Sequence, residues 1–170
     1  VLWLFEDNEG AAAALRAAAA ARGIDPGRLV FAPRLKSEDH LARHRLADLF
    51  LDTLPVNAHT TASDALWMGL PLVTCKGETF AGRVAASLLH AIGLPELVTE
   101  SLEDYEALAR KLAATPELLQ SVRRTLADNR RTMPLFDTER LCRHIESAYT
   151  TMCEISARGE APRSFRVDPA

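Results

Sequence analysis

The chain has 170 residues, 48% of them hydrophobic and 25% charged, with a net charge of −3. That length suits one domain with a real core, and the composition excludes an intrinsically disordered chain. There is no basic excess to neutralise a nucleic-acid backbone, and no apolar run nears the roughly 18 residues that span a membrane, so neither partner is expected.

The chain opens at Val1 on the strand-like run Val1–Phe5, without an initiating Met, and reads as a piece of a longer protein. A helix is expected over about Glu9–Arg22, where the alanine-dominated Ala11–Ala21 run suits a solvent-side helix. Strands are expected at Leu29–Ala32, Leu46–Asp52 and Pro71–Thr74, with a weaker one near Leu97–Val98. Helices are expected between them at Ser37–Arg45, Thr61–Met68 and Thr79–Ile92. Short apolar runs alternating with helical patterns predict βα units around a parallel sheet. The strands are apolar almost throughout, as strands covered on both faces are.

After residue 100 only helices are expected. Ser101-Leu102-Glu103-Asp104 is a capping box opening Asp104–Ala114, and Thr115-Pro116 opens Glu117–Asn129. Asp137 can cap a last helix whose Leu141, Ile145, Ala148/Tyr149, Met152 and Ile155 form one apolar stripe. Arg123-Arg124 and Arg130-Arg131 are expected on a solvated helix face. Residues 1–156 are thus expected to form one domain that includes a helical segment, 101–156, and residues 157–170 a flexible tail.

The three cysteines do not suggest a disulfide framework. Cys142 and Cys153 fall on one predicted helix, about 16 Å apart along its axis, so reduced thiols and a cytoplasmic location are expected. No C-x-x-C or H-E-x-x-H spacing occurs, and no metal is expected.

Open parallel sheets bind ligands beyond the carboxyl ends of their strands. Three loops emerge there. The first is Pro33-Arg34-Leu35-Lys36-Ser37-Glu38-Asp39-His40, with Arg43 one turn on. The second is Asn57-Ala58-His59-Thr60-Thr61-Ala62-Ser63-Asp64, and the third is Cys75-Lys76-Gly77-Glu78-Thr79, leading to Arg83. In the second loop Thr61-x-x-Asp64 reads as a capping box, which alone needs no ligand. Yet one helix needs one N-cap, so the neighbouring Thr60 hydroxyl is free, and His59 adds a donor at the same tip. A helix start so furnished suits a phosphate or a nucleotide. Trp67 is expected in the core, and Cys75 as a packing residue at a strand end. Neither G-x-G-x-x-G nor a P-loop is present.

The segments Arg28–Pro33, Glu38–His40, Leu46–Thr53, Asn57–Pro71 and Gly77–Ser87, in this order, resemble the catalytic region of O-GlcNAc transferases and SPINDLY-type relatives, over Val1 to about Tyr149. The resemblance implies the C-terminal, donor-binding half of a GT-B glycosyltransferase: a Rossmann-like parallel sheet flanked by helices, with an all-helical C-terminal segment. It implies a metal-independent, inverting transfer of GlcNAc from UDP-GlcNAc to Ser/Thr of proteins, with no cofactor. It also implies a cytoplasmic protein in which an N-terminal catalytic half and TPR repeats precede this chain, with the half's first strand–helix unit lying upstream of Val1. By the same resemblance His59, Thr60 and Thr61 hold the pyrophosphate and Asp64 the ribose, His40 packs on the base or ribose, and Arg43 and the Leu35 backbone meet the uracil. The family's ribose-contacting lysine lies three residues before that histidine, where this chain has Ser37, and Lys36 is one position off. The last helix is expected to dock on the N-terminal half. Related sequences use GDP-fucose on Ser/Thr or UDP-glucose on Asn, and a non-catalytic nucleotide-binding module keeps the same fold.

Overall fold

The computed structural model describes residues 1–6 and 8–167. Its first unit is β1 (Leu2–Phe5), α1 (Glu9–Ala20) and β2 (Leu29–Ala32), with β1 and β2 parallel in the register Leu2↔Leu29 to Phe5↔Ala32. The Asn8 side chain caps α1 by accepting from Ala11 N–H at 2.8 Å, and Gly23, with φ +72, lies just past its end. Only Ala12 and Ala19 of that helix are buried, so the alanine run does face solvent.

The chain then runs through α2 (Ser37–Arg43), β3 (Phe50–Leu51), α3 (Thr60–Trp67), β4 (Leu72–Cys75), α4 (Val84–Ala91) and β5 (Val98–Thr99). These strands form a second parallel sheet in the order β3-β4-β5. Three helices close the chain: α5 (Leu102–Ala114), α6 (Pro116–Asn129) and α7 (Thr138–Ala157). The fold is α/β with parallel sheets flanked by helices and an all-helical C-terminal segment. The strands lie in two sheets rather than one.

Several boundaries differ from expectation. Residues His44–Leu46 turn as a 3-10 segment and only Phe50–Leu51 pair as strand, because the Arg45-Leu46 end is exposed. Residues 79–83 form a turn instead of the first turn of α4, with Gly82 N–H bonded to the Thr79 carbonyl at 3.1 Å. Ser101 caps its helix, which starts at Leu102 rather than Asp104: its Oγ accepts from Asp104 N–H at 3.0 Å and donates to Asp104 Oδ2 at 2.6 Å, so only one arm of the capping box forms. Asp137 caps α7 through Arg140 N–H at 2.9 Å. The last helix runs to Ala157, and residues 168–170 of the expected tail lie outside the described residues.

The core lies in the second sheet and its helices: Ala62, Leu66, Leu72, Val73, Ala85, Leu89, Ile92, Leu94, Leu97, Leu112, Val122 and Leu126. Of the strands, β4 alone is buried at every position. Trp67 is not in this core. It is 52% exposed, with its ring edge-on to Phe136 at 5.0 Å. On a helix of eight residues Ala62, Ala65 and Leu66 turn to the sheet, and the next residue points about 100° away. The arginine pairs divide in the same way. Arg124 and Arg131 are exposed, whereas Arg123 donates to the Ala47 carbonyl at 2.7 Å and Arg130 to the Trp67 carbonyl, tying α6 to the loop before β3 and to the end of α3.

Cys75 packs buried at the end of β4, and Cys142 and Cys153 are exposed free thiols on α7. No described helix is long and apolar enough to cross a membrane.

Candidate functional site

The loop from β3 to α3 is built on a buried carboxylate. Asp52, 5% exposed, accepts from Thr53 N–H at 2.8 Å and Ala58 N–H at 2.7 Å with Oδ1, and from the Thr74 hydroxyl at 2.6 Å with Oδ2. The Tyr105 hydroxyl donates to the Asp52 carbonyl at 2.9 Å. Burial first, then the negative charge of Asp52 and Cys75, pushes the Tyr105 phenol up to about 12. Asn57 is buried as well. Its N–H donates to the Ala81 carbonyl at 2.9 Å and its Nδ2 to the Thr53 carbonyl at 3.0 Å. The loop is therefore pinned at its start, at Asn57 and at Ala58 before it reaches the helix.

Pinned there, the chain enters α3 two residues earlier than the capping box requires. His59 takes the N-cap position, with φ −106 and ψ −92, and makes no side-chain cap. The Thr61-x-x-Asp64 capping box does not form: Thr61 lies in the first turn, where its hydroxyl cannot reach back as an N-cap. Thr60 and Thr61 are both exposed. The start of this helix thus presents backbone N–H groups and the positive end of the dipole, uncapped by any side chain, beside two exposed hydroxyls.

The His59 ring leans on the next loop. Its Nε2 lies 3.4 Å from the Ala81 carbonyl, and its ring meets Phe80 edge-on at 6.0 Å. A carbonyl only accepts, so this contact places the ring proton on Nε2 and leaves Nδ1 for another partner.

The structure brings α2 to the same region. His40 lies close enough to Asp64 for that carboxylate to act on its charge. Arg43 Nη2 lies 2.6 Å from His40 Nδ1, and Nη1 donates to the Pro33 carbonyl at 2.8 Å. The Arg43 guanidinium also lies over the Trp3 ring at 5.6 Å. A guanidinium only donates, so His40 Nδ1 accepts and the imidazole is neutral. Burial, then Arg43 and His44, hold its pKa below the ordinary histidine value, against a smaller opposing pull from Asp64. Leu35 and Lys36 are exposed, and Lys36 stands at the N-cap of α2 without a side-chain capping bond.

Beyond β4 an open cleft of about 340 Å³ is lined by Lys76, Gly77, Glu78, Arg83 and Glu100. Lys76 pairs with Glu100 at 2.8 Å, which holds that carboxyl below its ordinary range. Among the described residues no three His, Cys, Asp or Glu side chains gather as a metal site.

The sequence named the residues at the helix start and missed those that hold them. Asp52, Ala81 and Tyr105 act through contacts between residues 22 to 53 positions apart, which periodicity does not register. The available signal was a lone Asp at the end of an apolar strand, ahead of a polar loop.

The family model "Glycosyl transferase family 41" matches residues 1–145. A probable UDP-N-acetylglucosamine–peptide N-acetylglucosaminyltransferase, SEC, from Arabidopsis thaliana is 38% identical over 167 residues, covering 98% of this chain and 17% of that protein. A Caenorhabditis elegans UDP-N-acetylglucosamine–peptide N-acetylglucosaminyltransferase is 38% identical over 146 residues, covering 86% of this chain and 13% of its own length. Among solved structures, a mutant O-GlcNAc transferase from Thermobaculum terrenum superposes with a TM-score of 0.86 at 32% identity, over 94% of this chain and 31% of that one. The chain therefore spans less than a third of each of these relatives.

Proposed function

The chain belongs to glycosyl transferase family 41, and from that premise we propose that it supplies the donor-binding half of an inverting, metal-independent protein O-glycosyltransferase. The donor is UDP-GlcNAc and the acceptor a Ser or Thr of a protein. The observation that supports this reading most directly is the start of α3, which no side chain caps and which carries His59 and the exposed Thr60 and Thr61. A diphosphate suits that place: oriented N–H groups and hydroxyls stabilise negative charge without reorganising.

In the transfer the acceptor oxygen bonds to the anomeric carbon while the bond from that carbon to the phosphate oxygen breaks. The electron pair leaves with UDP. His59, Thr60 and Thr61 are assigned to the departing diphosphate and Asp64 to the ribose. His40, held neutral and oriented by Arg43, is assigned to the base or ribose. Because Arg43 is already committed to Pro33 and His40, its part at the uracil is to fix that edge of the site together with the Leu35 backbone, and Lys36 adds a cation there. No group in this chain is assigned to take the acceptor's proton.

The domain is assigned to residues 1–156, with 157–170 as a tail. The exposed Leu141, Ile145, Tyr149 and Met152 on α7 form a face suited to dock on an N-terminal catalytic half. TPR repeats, a protein acceptor and a cytoplasmic location complete the assignment.

Calorimetry with UDP and GDP tests the donor. UDP is expected to bind more tightly, and equal or reversed affinities would remove the uridine assignment. Thr60→Val with Thr61→Val is expected to weaken UDP binding by about 30-fold or more, as for two lost hydrogen bonds to a charged group. Its effect on melting should be small, since neither hydroxyl caps the helix. Unchanged UDP affinity in that variant would exclude the threonines from the site.

A further inference from the structure

We propose that Gly82 is a positioning residue for the start of α3, acting through the Ala81 carbonyl on Asn57 and His59. This rests on the reading that a nucleotide diphosphate occupies that place.

Residues 77–83 form a tight turn. Gly77 N–H donates to the Gly82 carbonyl at 2.7 Å, and Gly82 N–H donates to the Thr79 carbonyl and hydroxyl, both at 3.1 Å. The turn lies directly against the loop that leads into α3. A side chain on Gly82 would have its Cβ 3.0 Å from the Pro55 carbonyl, 3.3 Å from Gly77 Cα and 3.3 Å from Thr79 Oγ1. Two of these neighbours are backbone, which cannot rotate away as a flexible side chain would.

The close approach has a use. It brings the Ala81 carbonyl to Asn57 N–H at 2.9 Å and to His59 Nε2 at 3.4 Å, so one acceptor meets both the loop backbone and the imidazole. Asp52 Oδ1 accepts from Ala58 N–H at 2.7 Å. Residues 57, 58 and 59 are thus each held from outside the loop. Misplacing a positioning group by about 1 Å can cost about a hundredfold in rate, because the productive geometry is lost. A shift of a few tenths of an ångström at Pro55 is therefore sufficient to be read as a loss of affinity.

The test uses Gly82→Ala and, as a control, Val122→Ala, which opens the core far along the chain at a residue 7% exposed. UDP affinity by calorimetry, the His59 ring ¹⁵N resonances and the melting temperature are measured for each. Gly82→Ala is expected to weaken UDP binding about tenfold and to shift the His59 resonances. Val122→Ala should lower the melting temperature and leave both other readouts at wild-type values. Unmoved His59 resonances in folded Gly82→Ala, or an equal loss of UDP affinity in Val122→Ala, would overturn the positioning role. Should Gly82→Ala not fold, Thr79→Val loosens the same turn at an exposed residue and should weaken UDP about threefold. Wild-type affinity in that variant overturns the proposal. A wild-type protein that does not bind UDP defeats the donor reading itself, which separates the two failures.

Discussion

Replacing Asp52 with alanine removes three hydrogen bonds at once. The acceptors lost are those of Thr53 N–H, Ala58 N–H and the Thr74 hydroxyl. Thr53 is exposed, and its N–H can turn to water at little cost. The other two are worse placed, since Ala58 is half-buried and Thr74 is 0% exposed. A hydrogen bond to a charged group contributes about 1.5–3 kcal/mol, so two lost bonds predict a destabilisation of roughly 3–6 kcal/mol. In a chain of this length that amounts to about 10 °C or more in melting temperature. Asp52→Asn keeps both oxygen-to-amide contacts in shape and lets the Thr74 hydroxyl rotate to accept, and should lose less than half as much. Urea unfolding of the chain measures both variants. If Asp52→Ala unfolds within about 1 kcal/mol of wild type, the carboxylate is not what closes this loop.

Two further outcomes follow from long-range contacts. Arg123→Ala gives up bonds to the carbonyls of Ala47 and Asp48 and should cost about 1.5–2.5 kcal/mol, while exposed Arg124→Ala stays within about 0.5 kcal/mol of wild type; equal losses in urea melts would refute the tether. For Tyr105 the folded pKa of about 12 lies above the unfolded value near 10, so the unfolded chain ionises first. Its contribution is complete below about pH 10 and is lost as pH rises toward 12. Tyr105→Phe should remove that part of the alkaline slope in urea midpoints, and identical slopes would refute it.

What could be read from the sequence was local. Ser101 and Asp137 are recognisable as caps because the groups they satisfy lie three residues away. Residues 71–74 read as a strand, one residue ahead of the observed Leu72–Cys75, because burial on both faces selects apolar side chains. The failures share a cause of the opposite kind. Thr61-x-x-Asp64 has the spacing of a capping box, but where α3 begins is decided by Asp52 and Ala81 gripping the preceding loop. Trp67 is large and apolar, yet a short helix has room for one face on the sheet, and Leu66 already occupies it. Arg123 looks like a surface charge until α6 folds back onto residues 47 and 48. The site followed the same division: its exposed chemistry was legible at Thr60 and Thr61, and the frame that aims it was not.

The separation of the strands into two sheets divides the site by local stability. His40 and Arg43 hang from the β1–β2 unit, whose buried apolar residues are only Ala12, Ala19 and Ala32 among those described. Asp64 and the start of α3 belong to the unit that holds the whole leucine-rich cluster. With so little apolar burial, amide hydrogens in the first unit are expected to exchange through cheaper openings than those of the second, which hydrogen–deuterium exchange measures. A ligand that touches both His40 and Asp64 therefore spends part of its binding free energy on quieting the first unit, and its affinity reports the order of that unit as well as the contacts it makes.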